Sequence, residues 1–253
     1  MKAMVFAAGI GSRLKPFTDE HPKALAPVAG VPALKRVLVK LREARVSRVV
    51  VNVHHFADQI TDFLAKNGNF GLDLRISDET DRLLDTGGGL LKAAPMLFDG
   101  SDEPVLLHNA DIITDFPLEE MLAAHRIGGA MATLMTSERK SSRLLYFDDE
   151  NTLEAWQNVK TGEVRPAGRS LVGLHAAAFG GVHIVGRQIE PLLREYASRL
   201  GGGDEIPAFS LVPFYLDVIG KGRSIAYTPS EPFSWFDIGT PEKLRQASEA
   251  YKK

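Results

Sequence analysis

Chemistry is concentrated near the start of the chain, in VFAAGIGSRLKPFTDEHPKALAPVAGVP over residues 5–32. Small residues at Ala7, Ala8, Gly9, Gly11 and Ser12 let a ligand's oxygens approach the main chain, where several N–H dipoles converge on one anion. Arg13 adds a planar fork of donors matched to phosphate oxygens, and Lys23 adds a point charge on a flexible stem. Lys23 is held between Pro22 and the apolar Ala24-Leu25-Ala26-Pro27 run, which restricts its backbone and sets it apart from a solvated surface cation. A backbone cradle and two unlike cations around one small volume are what a triphosphate requires.

The elements that must position these residues are legible from periodicity. Met1 to Ala7 is apolar without alternation, the pattern of a strand buried on both faces. Helical spacing over Pro32–Ala44 places Leu34, Val37, Leu38 and Leu41 on one face, Val49–Val53 is β-branched, and Ala57–Leu64 is helical again. Strands are expected at Leu72–Ile76, Val105–Leu107 and Ala130–Leu134, with helices near Gly88–Leu97 and Leu118–His125. Alternation of this kind implies an α/β fold, a Rossmann-like, mostly parallel mixed sheet with helices on both faces. Ligands on such sheets sit at the carboxyl ends of the strands, where Gly9, Asp111 and a loop at Gly87 would fall.

After Ser137 the pattern shifts. Arg143–Phe147 and Ala155–Val159 read as short strands joined by Asp148-Asp149-Glu150-Asn151, a small β excursion over one end of the cleft. Ala176–Val185 reads as a long strand, Gln188–Leu200 and Phe209–Val218 as helices, Ser224–Thr228 as a last strand. Pro241 opens a closing helix capped by Thr240. Gly201-Gly202-Gly203 reads as a flexible loop.

Composition narrows the function classes. The 253 residues suit one domain, and a formal net charge of −2 with dispersed cations gives no footprint for nucleic acid or an acidic membrane. With no cysteine there is no disulfide framework, thiolate nucleophile or sulfur-built zinc site, and the cytoplasm is the expected compartment. The first apolar run is too short for a signal peptide, and none is long enough to span a bilayer. A dinucleotide fold also begins with G-x-G after a first strand, but its third small residue is replaced here by Leu14, and the second strand ends in Asn52, Val53 and His54 with no acid for a ribose. His54, His55, His108, His175 and His183 show no metal-binding spacing and read as core or polar-contact residues.

The pattern G-x-G-x-R-L followed by P-x-T-x-x-x-P-K-x-L-x-P resembles the signature of the sugar-phosphate nucleotidyltransferases. Three further segments match in order: LLDTGGGL (Leu83–Leu90), LLHNADII (Leu106–Ile113) and WFDIGTPE (Trp235–Glu242). The first has Asp85 where Glu is familiar, and Ala110 stands where Gly is usual. Within the family the chain looks most like the N-acetylmuramate-1-phosphate uridylyltransferases, with mannose-1-phosphate guanylyltransferases next.

The resemblance implies an enzyme whose partners are a nucleoside triphosphate and a sugar 1-phosphate, with products nucleoside diphosphate sugar and pyrophosphate. It implies one catalytic domain over 1–253, with a nucleotide-binding half at about 1–136 and a sugar-binding half at about 137–253, acting as a monomer or homodimer; no hexapeptide array of the kind many relatives carry is read in the sequence, so no C-terminal β-helix is expected. Both reactants are anionic, so the implied cofactor is Mg²⁺, which takes one or two carboxylates and fills its remaining positions with water and phosphate. Asp111 and Asp237, each expected at a strand end, are the implied metal ligands. Lys23 is assigned to the α-phosphate and the incoming sugar phosphate, Arg13 to the departing pyrophosphate. Thr86, Gly87, Gly88 and Asn109 join the phosphate loop as nucleotide contacts, and Asn158 and Gly181 face the sugar. The acid and lysine often met in the sugar region are not in register here; Trp156 and Asn158 stand there instead. The base and the sugar stay open, phosphocholine is an alternative acceptor, and a silent nucleotide-binding regulatory subunit is the competing class. Retention of Arg13, Lys23, Asp111 and Asp237 argues for an enzyme.

Overall fold

The computed structural model describes residues 1–201 and 205–252, so most of the glycine loop expected at 201–203 lies outside the described residues. In chain order the elements are β1 (Lys2–Phe6), β2 (Pro27–Val28), β3 (Val31–Pro32), α1 (Ala33–Glu43), β4 (Val49–Val53), α2 (Ala57–Lys66), β5 (Leu74–Asp78), α3 (Asp85–Leu97), β6 (Val105–Asn109), β7 (Ile112–Thr114) and α4 (Leu118–Gly128). They continue with β8 (Ala132–Ser137), β9 (Arg143–Phe147), β10 (Leu153–Asn158), β11 (Val164–Arg165), β12 (His175–Val185), α5 (Ile189–Leu200), α6 (Leu211–Asp217), β13 (Ser224–Tyr227), β14 (Trp235–Asp237) and α7 (Pro241–Ala250).

Strands β6, β1, β4 and β5 lie side by side and parallel, the arrangement that the alternating first half of the sequence requires. Their residues point by turns into two cores. Ala3, Val5, Val49, Val51 and Leu106 join α1 and α2 on one face, while Met4, Val50, Val105 and Leu107 join α3, α5 and α6 on the other. Burial on both faces explains why these strands read as apolar runs without alternation. The mixed Rossmann-like sheet expected from the sequence is the one observed, with antiparallel additions beyond β6.

The long strand β12 carries those additions. Its C-terminal half pairs antiparallel with β6 and β8, and its N-terminal half pairs with β9, which continues through β10 to β11. Register shifts between Phe179 and His183, at Gly180-Gly181, let one strand serve both arrays. The excursion expected after Ser137 is therefore a leaf of the same sheet. At the far end Thr240 caps α7, its side chain accepting from Lys243 N, with Pro241 in the first turn.

Two features differ from the sequence reading. Helix α3 starts at Asp85, three residues before the expected start at Gly88, so Gly87 belongs to its first turn and not to a loop. The short antiparallel pair β7–β14, with Asp237 opposite Ile112, was not anticipated from either segment alone. Strands this short carry no periodicity, and their pairing is stabilised only by the distant partner.

Candidate active site

A cavity of about 530 Å³ opens at the carboxyl ends of β1 and β6. Ala7, Ala8, Gly9, Gly11, Ser12, Arg13 and Lys23 line one side, Leu83, Asp85 and Thr86 another, and Asn109 and Asp111 the floor. The glycine loop is not free to choose its shape. Ala7 N donates to Asn52 Oδ1 at 2.8 Å, so this N–H is committed to the protein and Ala7 contributes smallness instead of a donor. Gly11 has φ +69°, and a Cβ there would lie 2.9 Å from both Lys23 Cβ and Thr18 Cγ2. Glycine is thus needed to seat the loop against the lysine stem. Gly9 has no atom within 4 Å of its missing Cβ and faces open space.

The charged groups meet around Gly239. A Cβ on this residue would lie 2.7 Å from Asp237 Oδ1, 3.3 Å from Arg13 Nη2 and 3.4 Å from Lys23 Nζ. Lys23, on a 3₁₀ turn, forms an ion pair with Asp111, both side chains largely covered. Strand β14 reaches this point through β7, and Ile238 N donates to Asp111 O at 3.0 Å. Burial tends to raise the Asp237 pKa, but the Lys243 ammonium, Gly239 N and Lys23 outweigh it and hold the carboxyl below its usual range. Asp237 is therefore ionised at neutral pH. Gly239 and Lys243 were missed by the sequence reading, although both sit in or beside the D-x-G-T-P segment it singled out.

Thr86 and Asn109 line the cavity, but Gly87 and Gly88 do not. A Cβ on Gly87 would meet the Phe209 ring at 2.3 Å, and one on Gly88 would meet Pro207 O at 2.5 Å. Their N–H groups donate to Phe209 O at 2.7 and 3.2 Å. These glycines allow α3 to pack against the segment before α6; the expected open main chain for a base is filled by the protein. Gly89 performs a similar task, since its Cβ would lie 2.8 Å from Glu79 Oε1 and 3.1 Å from Asn52 Nδ2. Glu79, fully buried, accepts from Asn52 Nδ2 at 2.8 Å and from Leu84 N at 3.0 Å. A single buried chain of hydrogen bonds thus runs from Ala7 in the loop after β1 through Asn52 and Glu79 to Leu84, beside the cavity residue Leu83. Desolvation raises the Glu79 pKa, against the opposing pull of those two donors.

A second cavity, of about 600 Å³, shares Asp85, Thr86 and Asn109 with the first. Its wall is one face of the excursion sheet, where register sets Asn158 opposite Arg143, and Trp156 between Leu145 and Arg165. Glu163 and Arg165 supply an anion and a cation here, paired with each other, that the sequence reading did not identify. Gly181, expected to face the sugar, is buried with φ +75° and does not line this cavity; its Cβ would lie 3.0 Å from Asn109 Nδ2 and from Ile112 Cγ1, so its smallness makes room for Asn109. Arg139, also unanticipated, lies 3.8 Å over the Trp235 ring and donates to Phe179 O at 2.6 Å, tying β12 to β14. The histidines near the site are structural. His183 Nδ1 shares a 2.7 Å hydrogen bond with Tyr215 Oη, and burial lowers His108 to about 4.

Comparison with known proteins agrees with this geometry. Residues 2–144 match the family described as nucleotidyl transferase. The N-acetylmuramate alpha-1-phosphate uridylyltransferase of Caulobacter vibrioides is 34% identical over 98% of this chain and 95% of its own. Mannose-1-phosphate guanylyltransferase 1 of Arabidopsis thaliana is 35% identical, over 54% of this chain and 38% of its own. The solved structure of HddC from Yersinia pseudotuberculosis superposes with a TM-score of 0.73 at 20% identity, over 99% of both chains, a likeness of fold. The chain belongs to the nucleotidyl transferase family. It is an enzyme, a sugar-phosphate nucleotidyltransferase, so the silent regulatory class is set aside.

Proposed function

We propose that the enzyme transfers a uridylyl group from UTP to N-acetylmuramate 1-phosphate, forming UDP-N-acetylmuramate and pyrophosphate. The observation that carries this reading is the reach of the likeness: the uridylyltransferase matches along 98% of the chain, necessarily including most of the acceptor cavity, whereas the guanylyltransferase matches 54%. In this reading an oxygen of the sugar phosphate attacks the α-phosphorus, its bond forms as the α–β bridging bond breaks, and pyrophosphate leaves with the electron pair. The attacking group is already anionic, so no side-chain nucleophile or general base is needed.

Lys23 neutralises charge on the α-phosphate and the arriving phosphate, and Arg13 grips the leaving pyrophosphate with its fork of donors. Thr86 and Asn109 contact the nucleoside, and Asn158 contacts the sugar. The donor types suit Mg²⁺: Asp111 is paired with the Lys23 ammonium that also acts on Asp237, and among the described residues no cluster of three or more acidic or histidine side chains offers an all-protein cage. When bound, the ion would neutralise phosphate charge there. In one catalytic unit, residues from about 1–136 supply most of the nucleotide contacts and residues from about 137–253 most of the acceptor wall, with Asp237 crossing to the first site.

Pyrophosphate release with Mg²⁺ tests the reading across UTP and GTP, paired with the 1-phosphates of N-acetylmuramate, N-acetylglucosamine and mannose. Strong release with UTP and N-acetylmuramate 1-phosphate alone is the expected result. Preferred turnover of GTP with mannose 1-phosphate would replace the proposal with the guanylyltransferase reading.

A further inference from the structure

The acceptor cavity holds two arginines in unlike states. Arg165 is spoken for: its Nε and Nη2 both reach Glu163 Oε1 at 2.7 Å, and its guanidinium lies 5.5 Å from the Trp156 ring centroid. Arg143 is anchored only through its backbone, its N–H donating to Ser141 Oγ at 3.2 Å and its carbonyl accepting from the same hydroxyl at 2.8 Å. Among the described residues no carboxylate pairs with the Arg143 guanidinium. Its side chain extends from β9 on the cavity face, opposite Asn158 and two positions before apolar Leu145.

An unpaired guanidinium on a partly apolar wall is suited to an anion supplied by the ligand, because its fork binds a carboxylate through two parallel hydrogen bonds. The acceptor's phosphate does not account for it. That phosphate must reach the α-phosphorus beside Lys23, Arg13 and Asp111, which line the neighbouring cavity, where Arg143 is absent.

Resting on the acceptor reading above, we propose that Arg143 binds a second acidic group of the acceptor, a carboxylate carried by the sugar, and so selects acidic sugar 1-phosphates over neutral ones. The lactyl carboxylate of N-acetylmuramate has this chemistry; N-acetylglucosamine and mannose lack it. Asn158, directly across the strand pair, supplies an amide beside the same group.

The test compares N-acetylmuramate 1-phosphate with its lactyl amide, which has nearly the same shape and no charge, using the full chain with UTP and Mg²⁺. The wild type should favour the acid by about 10- to 100-fold in kcat/KM, expressed in KM, the range expected for a hydrogen bond to a charged group. In Arg143→Gln the preference should fall to about one, while Arg165→Gln should keep it. Three results overturn the inference while leaving the proposed reaction intact: wild type indifferent to the charge, Arg143→Gln still preferring the acid, or Arg143→Gln losing acid and amide equally, which would assign Arg143 to the phosphate or the fold. Wild type that turns over neither acceptor overturns the proposed reaction and this inference together.

Discussion

Two glycine-bearing segments lie at the cavity beside β1 and β6, and they do opposite work. In the loop after β1, Gly9 faces open space, with no atom within 4 Å of a Cβ, and its smallness serves whatever enters the cavity. In α3 the missing side chains of Gly87, Gly88 and Gly89 are replaced by Phe209, Pro207 and the Glu79–Asn52 pair, so their smallness serves the protein itself. The comparison teaches that a glycine-rich motif can be a docking surface for the fold as readily as for a ligand, and that only the neighbouring atoms distinguish the cases. The helix still shapes the site: it presents Thr86 to the cavity while its glycines pack closely against Phe209, Pro207 and Glu79.

The loop side can be broken most severely at Lys23. Lys23→Ala should lower kcat by about 10²–10³-fold with the circular dichroism spectrum retained, the loss typical for removing one preorganised donor to developing charge. Turnover near wild type in the pyrophosphate assay would remove Lys23 from the chemistry.

A matched pair sharpens the contrast between the segments. Gly88→Ala drives a methyl group against Pro207 O, a main-chain atom, and should cost about 1–3 kcal/mol of stability in urea unfolding, as overpacking does. Gly9→Ala should leave the urea midpoint nearly unchanged and weaken UTP binding by calorimetry. Reversal of that pattern, with Gly9→Ala destabilising and Gly88→Ala neutral, would refute the division of labour.

The smallest effect concerns Glu79, which links the two segments. Burial raises its pKa above the ordinary carboxyl value, so the folded protein holds this proton more firmly than the unfolded chain. The contribution to stability is then fullest below the unfolded pKa and declines as pH rises through the folded one. Measured against Glu79→Gln in urea titrations, wild-type stability should decline relative to the variant with rising pH through the weakly acidic range. A constant difference across that range would mean that Glu79 titrates as an exposed carboxyl.

The sequence disclosed much of this arrangement because much of it is local. Apolar runs marked β1 and β4, helical spacing marked α1 and α2, and the loop from Ala7 to Lys23 is contiguous, so its chemistry could be read without knowing the fold. The roles of Gly87 and Gly88 could not, since Phe209 and Pro207 arrive from a distant part of the chain. Trp156 and Asn158 could be placed on one strand by position, yet their partners Arg143, Glu163 and Arg165 enter the cavity through strand register, which a single strand does not encode.

By itself the sequence determined most of the elements, the mostly parallel sheet of the first half, the small-residue loop after β1 and the residue types available for charge. Only the tertiary structure decided which of them meet. The pairing of β7 with β14 brings Asp237 and Gly239 to Lys23 and Arg13, with Asp111 paired to Lys23, and the strand β12 joins the excursion sheet to β6 at the cavity floor. Short-range preferences act over a few residues, whereas a site built from charges is closed by contacts between segments that become neighbours only when both cores are packed.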